Sequence, residues 1–574
     1  MLVLLTGVLY YPKWRQQGTE ATISWDVSGY YFYLPSIFIY RDIKQLRFKD
    51  KILQEYRPTP DFQQAFAHRS GNYVMKYSSG QALLLSPFFF AAHAFVKIFS
   101  GFPADGFSYP YQLAIGIGAL FYALLGLVII RKVLLFYFPD RAVALTLPAL
   151  VFASNYLNYA AIDGAMTHNT LFTVYALLLY FTVRLYRDRQ PIFAFAAGAL
   201  AGLAMLVRPS EVIAIIIPLS WGVNGMAALK NRFAFFSSQK KNLFLFVTGL
   251  LLFALIQPVY WKAVAGEWLV YSYGNEGFDW LRPHFQKGMF SYRSGWLVYS
   301  PVMVLALLGF VPLFRYFRPV YWPVFIFFLL FAYICFSWQT WWYGGSLGQR
   351  AMVQSYPLLC FPLAALFGQV LRAQIWKKLP VFLFLVFCAW YNLWLTHQAH
   401  RGGLFKAGEM TGPYLRAIFG RWKVNDEVLS LLDHPVRFSS VPGENQLVYA
   451  NNFDDASGNE EKSLVLDSLR QFSPEYFFTL PKGKGRLRAT ALFLAPQKEW
   501  DTWKMACFMV RFYRKDELLE TALLRVHRLL QDGSARSIAL DAHVPDGADR
   551  ASTVFWNAGG SKKLVVDELR VIVF

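Results

Sequence analysis

Charge is scarce in this chain. Of its 574 residues only 16% are Asp, Glu, Lys or Arg. A soluble protein of this length alternates polar and apolar residues far more often, because most of its segments meet water. Cysteine is scarcer still. Cys335, Cys360, Cys388 and Cys507 show no CxxC or other metal-ligand spacing, and three of them lie in apolar segments. That excludes a disulfide framework. Internal repeats and low-complexity tracts are absent, and with them the inverted repeats that mark many transporters. The opening apolar run, residues 1–12, is short: at 1.5 Å per residue it covers about 18 Å. It does not read as a cleavable signal peptide. Its helix is expected to begin upstream of Met1 or to continue into residues 13–17, and the upstream turn is preferred.

What the chain does have is apolar surface in long stretches. Hydrophobic residues make up 56% and aromatic residues 18%, and crossing a hydrocarbon core of about 30 Å takes roughly 20 helical residues. After the opening run, spans are predicted at 111–130, 142–161, 167–183, 192–207, 212–226, 243–261, 300–314, 321–338, 351–371 and 379–396. The chain is therefore read as a polytopic α-helical membrane protein. Its net charge of +20 concentrates in short loops, where Lys and Arg set orientation and meet anionic lipid heads. No separate basic domain supports nucleic-acid binding.

The basic clusters follow alternate spans: Arg131/Lys132/Arg141, Arg184/Arg187/Arg189, Lys230/Arg232/Lys240/Lys241, Arg315/Arg318 and Arg372/Lys377/Lys378. Positive-inside bias puts all five on the cytoplasmic side and the region after His397 outside. The first loop is ambiguous. Arg41, Lys44, Arg47, Lys49, Lys51 and Arg57 make it basic too. A complete crossing by the apolar segment 80–99 would make it cytoplasmic; a re-entrant or interfacial segment would turn it outward. Past residue 400 the hydrophobic runs shorten and alternate, at 486–494, 506–513, 537–544 and 564–574. Period-2 runs divided by Gly, Asp and Pro turns predict an antiparallel β-sandwich over 436–574, after a linker at 401–435.

Polar residues gather on the side opposite the basic loops. Asp26 follows the first span in Trp25-Asp26-Val27-Ser28-Gly29-Tyr30-Tyr31, and a carboxylate at a membrane edge among aromatics is costly to keep dry. Asp163 and His168 lie between two spans, and Arg208-Pro209 ends another. The connection 262–299 carries Asn275, Glu276, Asp279, Arg282, His284, Lys287 and Arg293. A late turn reads Trp341-Trp342-Tyr343-Gly344-Gly345-Ser346-Leu347-Gly348-Gln349-Arg350. With Lys76 and Tyr77 added, one face combines cations for a phosphate, aromatic planes for sugar rings and a carboxylate to take a proton. Each residue has a plainer reading. Asp26 and Asp163 also suit helix caps, His168 an interfacial hydrogen bond, Arg350 a snorkelling flank, Trp342 an aromatic belt and Arg293 a solvated loop.

Taken in order, these residues resemble the polyprenyl-phosphate-dependent glycosyltransferases of the GT-C fold, close to family 39. The nearest likeness is to bacterial relatives of protein O-mannosyltransferases and lipid A aminoarabinose transferases. The likeness covers roughly residues 1–400. It rests on an acid followed by aromatics (Asp26, Tyr30, Tyr31), and on a basic-Tyr-x-x-Gly-x-x-Leu element (Lys76-Tyr77-Ser78-Ser79-Gly80-Gln81-Ala82-Leu83). It rests also on a second acid with a downstream His (Asp163, His168) and on the aromatic-Gly-Gly turn ending in Arg350. Ser78-Ser79 stands where the family has Pro-Pro. The resemblance implies that 80–99 is not a complete crossing and that the loops 13–99 and 262–299 face outward. About eleven spans then form a transmembrane domain over 1–400, in a bacterial inner membrane with the site toward the periplasm.

The implied reaction is inverting transfer of a sugar from a polyprenyl-phosphate-linked donor to a protein, lipid or glycan acceptor. Asp26 would be the general base, with Asp163 positioning the acceptor. Arg350, Lys76 and Arg293 would hold the donor phosphate, while Tyr30, Tyr31, Tyr77, His168 and Trp342 line the substrate. Family members differ in whether they use a divalent metal, and Asp26 and Asp163 are the residues that would hold one. The sandwich resembles carbohydrate-binding jelly rolls mainly in its final strand, with Trp500, Trp503 and Trp556 as aromatic residues that stack on sugar or fill a core. A lipid-linked-glycan flippase and a non-catalytic scaffold are the rival functions.

Overall fold

The computed structural model describes the chain except for residues 100, 226, 229, 231, 233–237, 439, 441–442, 455–462, 498–499, 501–504, 531–532 and 559–560. It divides into two compact units, Met1–Gly408 and Glu409–Phe574.

The first unit is helical. Helix α1 (Leu2–Tyr10) leads to short helices α2 (Trp25–Tyr31), α3 (Tyr33–Phe38) and α4 (Lys49–Tyr56), then to a small hairpin of β1 (Ala65–Ala67) and β2 (Tyr73–Met75). Long helices follow: α5 (Gly80–Phe99), α6 (Tyr109–Leu134), α7 (Asp140–Ala153), α8 (Thr167–Asp188) and α9 (Pro191–Val207). After them come α10 (Ile216–Ser220), α11 (Lys240–Ala254), α12 (Ile256–Ala265), α13 (Met303–Tyr316), α14 (Arg318–Ser337), α15 (Tyr356–Val370) and α16 (Ile375–His397). Among the described residues, six helices are long and apolar enough to cross a membrane, which makes this a polytopic membrane protein. Five coincide with predicted spans; the sixth is α5.

Several other predicted spans are shorter or broken. The segment predicted at 142–161 stops at Ala153, and Asn158–Ile162 forms a separate π-helical turn. The segment predicted at 212–226 opens as a 3-10 helix, Pro209–Ile215, before α10. Hydrophobic period alone does not register these breaks, and both adjoin residues of the candidate site described below. The opening helix ends at Tyr10, and a 3-10 turn at Lys13–Arg15 takes over.

Helix α5 decides how the first loop lies. Its first turn is fixed beside the start of α8, where the Gln81 amide donates to the Ala165 carbonyl. It then runs antiparallel to the first half of α6: Tyr122 donates to the Leu84 carbonyl, and His93 bonds Tyr111 at 2.5 Å. The segment after α5 returns to the first loop, since Tyr31 donates to the Gly106 carbonyl and Tyr56 bonds Asp105. Both ends of α5 therefore adjoin the first loop: its start follows closely on Tyr77, and the segment after its end bonds Tyr31 and Tyr56. Helices α6 and α7 leave that loop and come back to it, so residues 13–79 and 154–166 share one end of the bundle. The basic residues Arg131, Lys132, Arg184 and Arg187 occupy the far ends of α6 and α8.

In a lipid-facing bundle helices associate by close packing and not by hydrophobic contrast. Helices α9 and α11 do so through glycine. A Cβ on Gly198 would stand 1.9 Å from the Phe246 carbonyl oxygen, and one on Gly202 would stand 2.2 Å from that of Leu250.

The second unit carries two packed antiparallel sheets. One orders β5 (Tyr476–Thr479), β10 (Arg550–Asn557), β7 (Ala506–Arg514) and β8 (Glu517–Arg525). The other orders β3 (Gln446–Asn451), β11 (Leu564–Val573), β6 (Arg486–Leu494) and β9 (Arg536–His543), with β4 (Leu464–Leu466) also on β11. Phe493 and Val571 from one sheet meet Phe508 and Phe555 from the other in a single core. Trp500 packs at its edge, Trp556 stacks on Phe472 at 5.4 Å, and Trp503 lies outside the described residues.

Gly202→Val is expected to destabilise the helical unit by about 1–3 kcal/mol, because backbone is what must move. A lower melting temperature in detergent than that of a Val substitution at lipid-exposed Leu252 would show it.

Candidate functional site

Asp26 stands in the first turn of α2, straight after Trp25, whose φ of 47° is left-handed. For a bulky residue that conformation is strained, and strain of this kind gathers at functional sites. It is held by the Trp25 amide, which donates to the Pro58 carbonyl. The chain thus pays conformationally to turn Asp26 inward.

Two residues meet the carboxylate. Tyr77 donates its hydroxyl to Oδ1 at 2.8 Å, and Arg350 donates Nη2 to Oδ2 at 2.7 Å. The pair is mostly enclosed, with the Arg350 and Asp26 side chains 16% and 28% exposed. Glycine makes this approach possible. A Cβ on Gly29 would lie 2.4 Å from the Tyr77 ring, and one on Gly80 would lie 2.4 Å from the Val207 amide nitrogen. The Lys76-Tyr77-x-x-Gly80 element therefore works as a bracket. Tyr77 reaches the acid, while Gly80 seats α5 against the end of α9.

The supports around it are polar and buried. Tyr33 donates to the Tyr77 carbonyl, Ser272 donates to the Lys76 carbonyl, and the Gln64 amide ties Ser28 to Thr59. Ser78-Ser79 fits the same bracket, because the Ser79 amide donates to Gln257. Tyr30 packs on Tyr77 with ring centroids 4.4 Å apart. Lys76 lies 5.8 Å from the Tyr77 ring and 5.5 Å from that of Tyr273, with Glu276 at 3.7 Å. Burial pushes the Asp26 carboxyl upward. Arg350, the Tyr77 hydroxyl, Arg208 and Lys76 together outweigh burial and hold it below its ordinary 3.8.

The other predicted residues divide into groups. Asp163 accepts from Lys13 Nζ at 2.7 Å and from Asn158 at 2.9 Å. It lies just past the π turn, and His400 bonds the same Asn158. Burial raises its carboxyl, but Lys13 and His400 bring it well below the usual carboxylate range. His168 is buried, bonded to Gln354 at 3.0 Å and edge-on to Tyr159. Arg293 stacks on Trp342 at 3.7 Å and donates to the Gly408 carbonyl. Tyr31 is fully buried against Phe89 and Phe107, with its hydroxyl spent on Gly106, so it offers a ligand no surface. The structure brings Asp26, Tyr30, Lys76, Tyr77 and Arg350 together; it places Tyr31 in the core behind them.

A divalent ion does not fit the carboxylates as they stand. Among the described residues no three His, Cys, Asp or Glu side chains converge, and Asp26 and Asp163 each have a cation as nearest partner.

Two further side chains beside this cluster had no role in the sequence reading. Arg208 ends α9 beside Tyr30, Tyr273 and Tyr343. Its signal was a lone arginine at the span end away from the basic clusters. Glu211 is 1% exposed and accepts from Tyr175 and from Gln354, which in turn holds His168. Its signal was an acid at the head of an apolar run.

No family model matches the chain, and no curated protein matches it. Among solved structures it is similar to ArnT from Cupriavidus metallidurans bound to undecaprenyl phosphate, at 15% identity and a TM-score of 0.39, over 67% of this chain and 62% of that one. It is also similar to arabinosyltransferase EmbB from Mycobacterium smegmatis, at 11% identity and a TM-score of 0.38, over 99% of this chain and 64% of that one. The chain thus spans less than two thirds of either protein. At these scores the geometry above stands on its own.

The pair gives a sign-specific expectation. Asp26 is depressed in the folded state, so its contribution to stability is present above its ordinary 3.8 and is lost as pH falls through the lowered value. Asp26→Asn and Arg350→Gln should each destabilise, and the double variant less than their sum, with a coupling of about 1–3 kcal/mol at neutral pH. Melting temperatures of all four proteins close the cycle; additive effects would dissolve the pair.

Proposed function

We propose that the chain is an inverting glycosyltransferase that takes a sugar from a polyprenyl-phosphate-linked donor. The observation that carries this reading is the composition of one side-chain cluster: a carboxylate with a guanidinium and a phenol on its two oxygens, two more cations beside it, and tyrosine rings packed around it. The order of motifs shared with GT-C enzymes supports it.

The chemistry follows from those parts. Asp26 takes the proton of the acceptor's hydroxyl or amine as that atom attacks the anomeric carbon. The bond from that carbon to the phosphate oxygen breaks, and the lipid phosphate leaves with the electron pair. Arg350 and Lys76 stabilise its charge, which is greatest in the transition state and afterwards. One base is enough for inversion, so no enzyme nucleophile is required. Asp163, clamped by Lys13, is better placed to orient an acceptor than to take its proton.

The active face would be external. Arg131, Lys132, Arg184 and Arg187 lie at the far ends of the helices, where the positive-inside rule puts the cytoplasm. The first loop is basic as well, but long loops carry little weight in that rule. On this reading the protein sits in a bacterial inner membrane with its site toward the periplasm.

Asp26→Asn should lower transfer by about 10²–10⁴-fold, the usual worth of a general base. Mass spectrometry of envelope glycoconjugates from cells carrying wild type, variant or neither would read this out. Normal glycans from the variant would sink the mechanism. A cysteine in place of Lys49 should react with an impermeant thiol reagent in intact spheroplasts; labelling only after permeabilisation would put the site on the wrong side.

A further inference from the structure

Around Asp26 the charges do not cancel. Three cations act on its carboxylate: Lys76, Arg208 and Arg350. Lys76 has Glu276 at 3.7 Å and Arg350 has Asp26 at 2.7 Å. The Arg208 guanidinium makes no hydrogen bond among the described residues and has no carboxylate within 4.0 Å; only its backbone is bonded, to Ala204 and Glu211. Its neighbours are Tyr30, Tyr273 and the Tyr343 ring, whose centroid lies 6.0 Å from the guanidinium. Glu211, a buried acid that also acts on Arg208, is already committed to Tyr175, Gln354 and Ser210. On Arg350, Nε is buried with no acceptor. The Arg208 donors are not among the buried unpartnered atoms, so they open outward beside the tyrosines, where an anion with several oxygens would occupy them together with Arg350 Nε.

The base has the opposite difficulty. Both oxygens of Asp26 are taken, Oδ1 by a phenol and Oδ2 by a guanidinium. A carboxylate in that state is a poor proton acceptor. The groups that face it are Lys76 and Tyr77 ahead of α5, Arg208 at the end of α9, Arg350 after the glycine turn, and Tyr30 on its own helix.

We propose that Arg208 is the residue that receives the donor's phosphate, and that the same phosphate draws Arg350 off Oδ2 of Asp26. The inference rests on the lipid-phosphate reading above. Donor binding then comes first and frees the base. The acceptor oxygen bonds to the anomeric carbon as the carbon–oxygen bond to phosphate breaks. The phosphate keeps the electron pair between the two arginines, and the acceptor's proton goes to Oδ2. An acceptor that arrives without donor meets a base that is already occupied, which protects the site from idle binding.

The test uses the purified full chain in nanodiscs with undecaprenyl phosphate as probe. Arg208→Gln should weaken binding by about tenfold or more, the effect of losing a charge-assisted contact, while Arg208→Lys stays within a few-fold of wild type. Asp26→Asn should bind the lipid several-fold more tightly, because Arg350 no longer has to leave a carboxylate. Calorimetry in two buffers of different ionisation heat counts protons. Below about pH 6 the wild type should take up more protons per lipid than Asp26→Asn, since freeing Asp26 raises its proton affinity; the phosphate's own proton cancels in that difference. Wild-type affinity in Arg208→Gln would overturn the assignment of Arg208. Equal proton counts in wild type and Asp26→Asn would overturn the switch. No binding of the lipid by wild type would overturn the donor reading itself.

Discussion

The helical unit turns on the need of a half-buried carboxylate for a cation. Asp26 and Arg350 are 324 residues apart in sequence, so the need can be met only if the first loop folds over the turn before α15. An ion pair in this setting adds little net stability, because desolvation consumes most of the Coulombic gain. It does impose a condition on assembly: leaving either partner alone is far worse than leaving both solvated. The tyrosines around the pair act through the same condition. They exclude water, which strengthens the pairing and raises the penalty for missing it.

Much of this was legible in the residues. The long apolar runs gave the helices, and the alternating runs after residue 480 gave the sheets. The element from Lys76 to Gly80 marked a structural bracket, although its logic lay in distances no sequence displays. Gly29 and Gly80 are both small because a ring and a backbone approach them. Nothing in the local sequence of Gly29 names Tyr77 as the ring.

The illegible part has a common cause. A sequence shows which residues carry charge but not which partners they find. Asp163 read as a helix cap or an acceptor-positioning acid, yet Lys13, 150 residues earlier, sits on it. Tyr30 and Tyr31 read as a pair, yet a helical turn sends one toward Tyr77 and the other into the core. Arg208 read as a span end because its tyrosine neighbours come from three separate segments. The broken spans belong here as well. Apolar period continues through a π turn or a 3-10 turn without notice, while the backbone changes direction.

The π turn before Asp163 and the left-handed residue before Asp26 have a shared location: both are at helix termini. So are Arg208, at the end of α9, and Arg350, ahead of α15. Of these groups, Asp26, Arg208 and Arg350 take no side-chain hydrogen bond from a neighbour one turn along their own helices. Their spacing is set by how far each helix has slid along the next. A slip of one residue is about 1.5 Å, enough to part a 2.7 Å contact while every helical hydrogen bond survives. The membrane's lateral pressure and thickness thus become a determinant of the site, and a solubilised preparation can keep its full helical spectrum after the chemistry has gone.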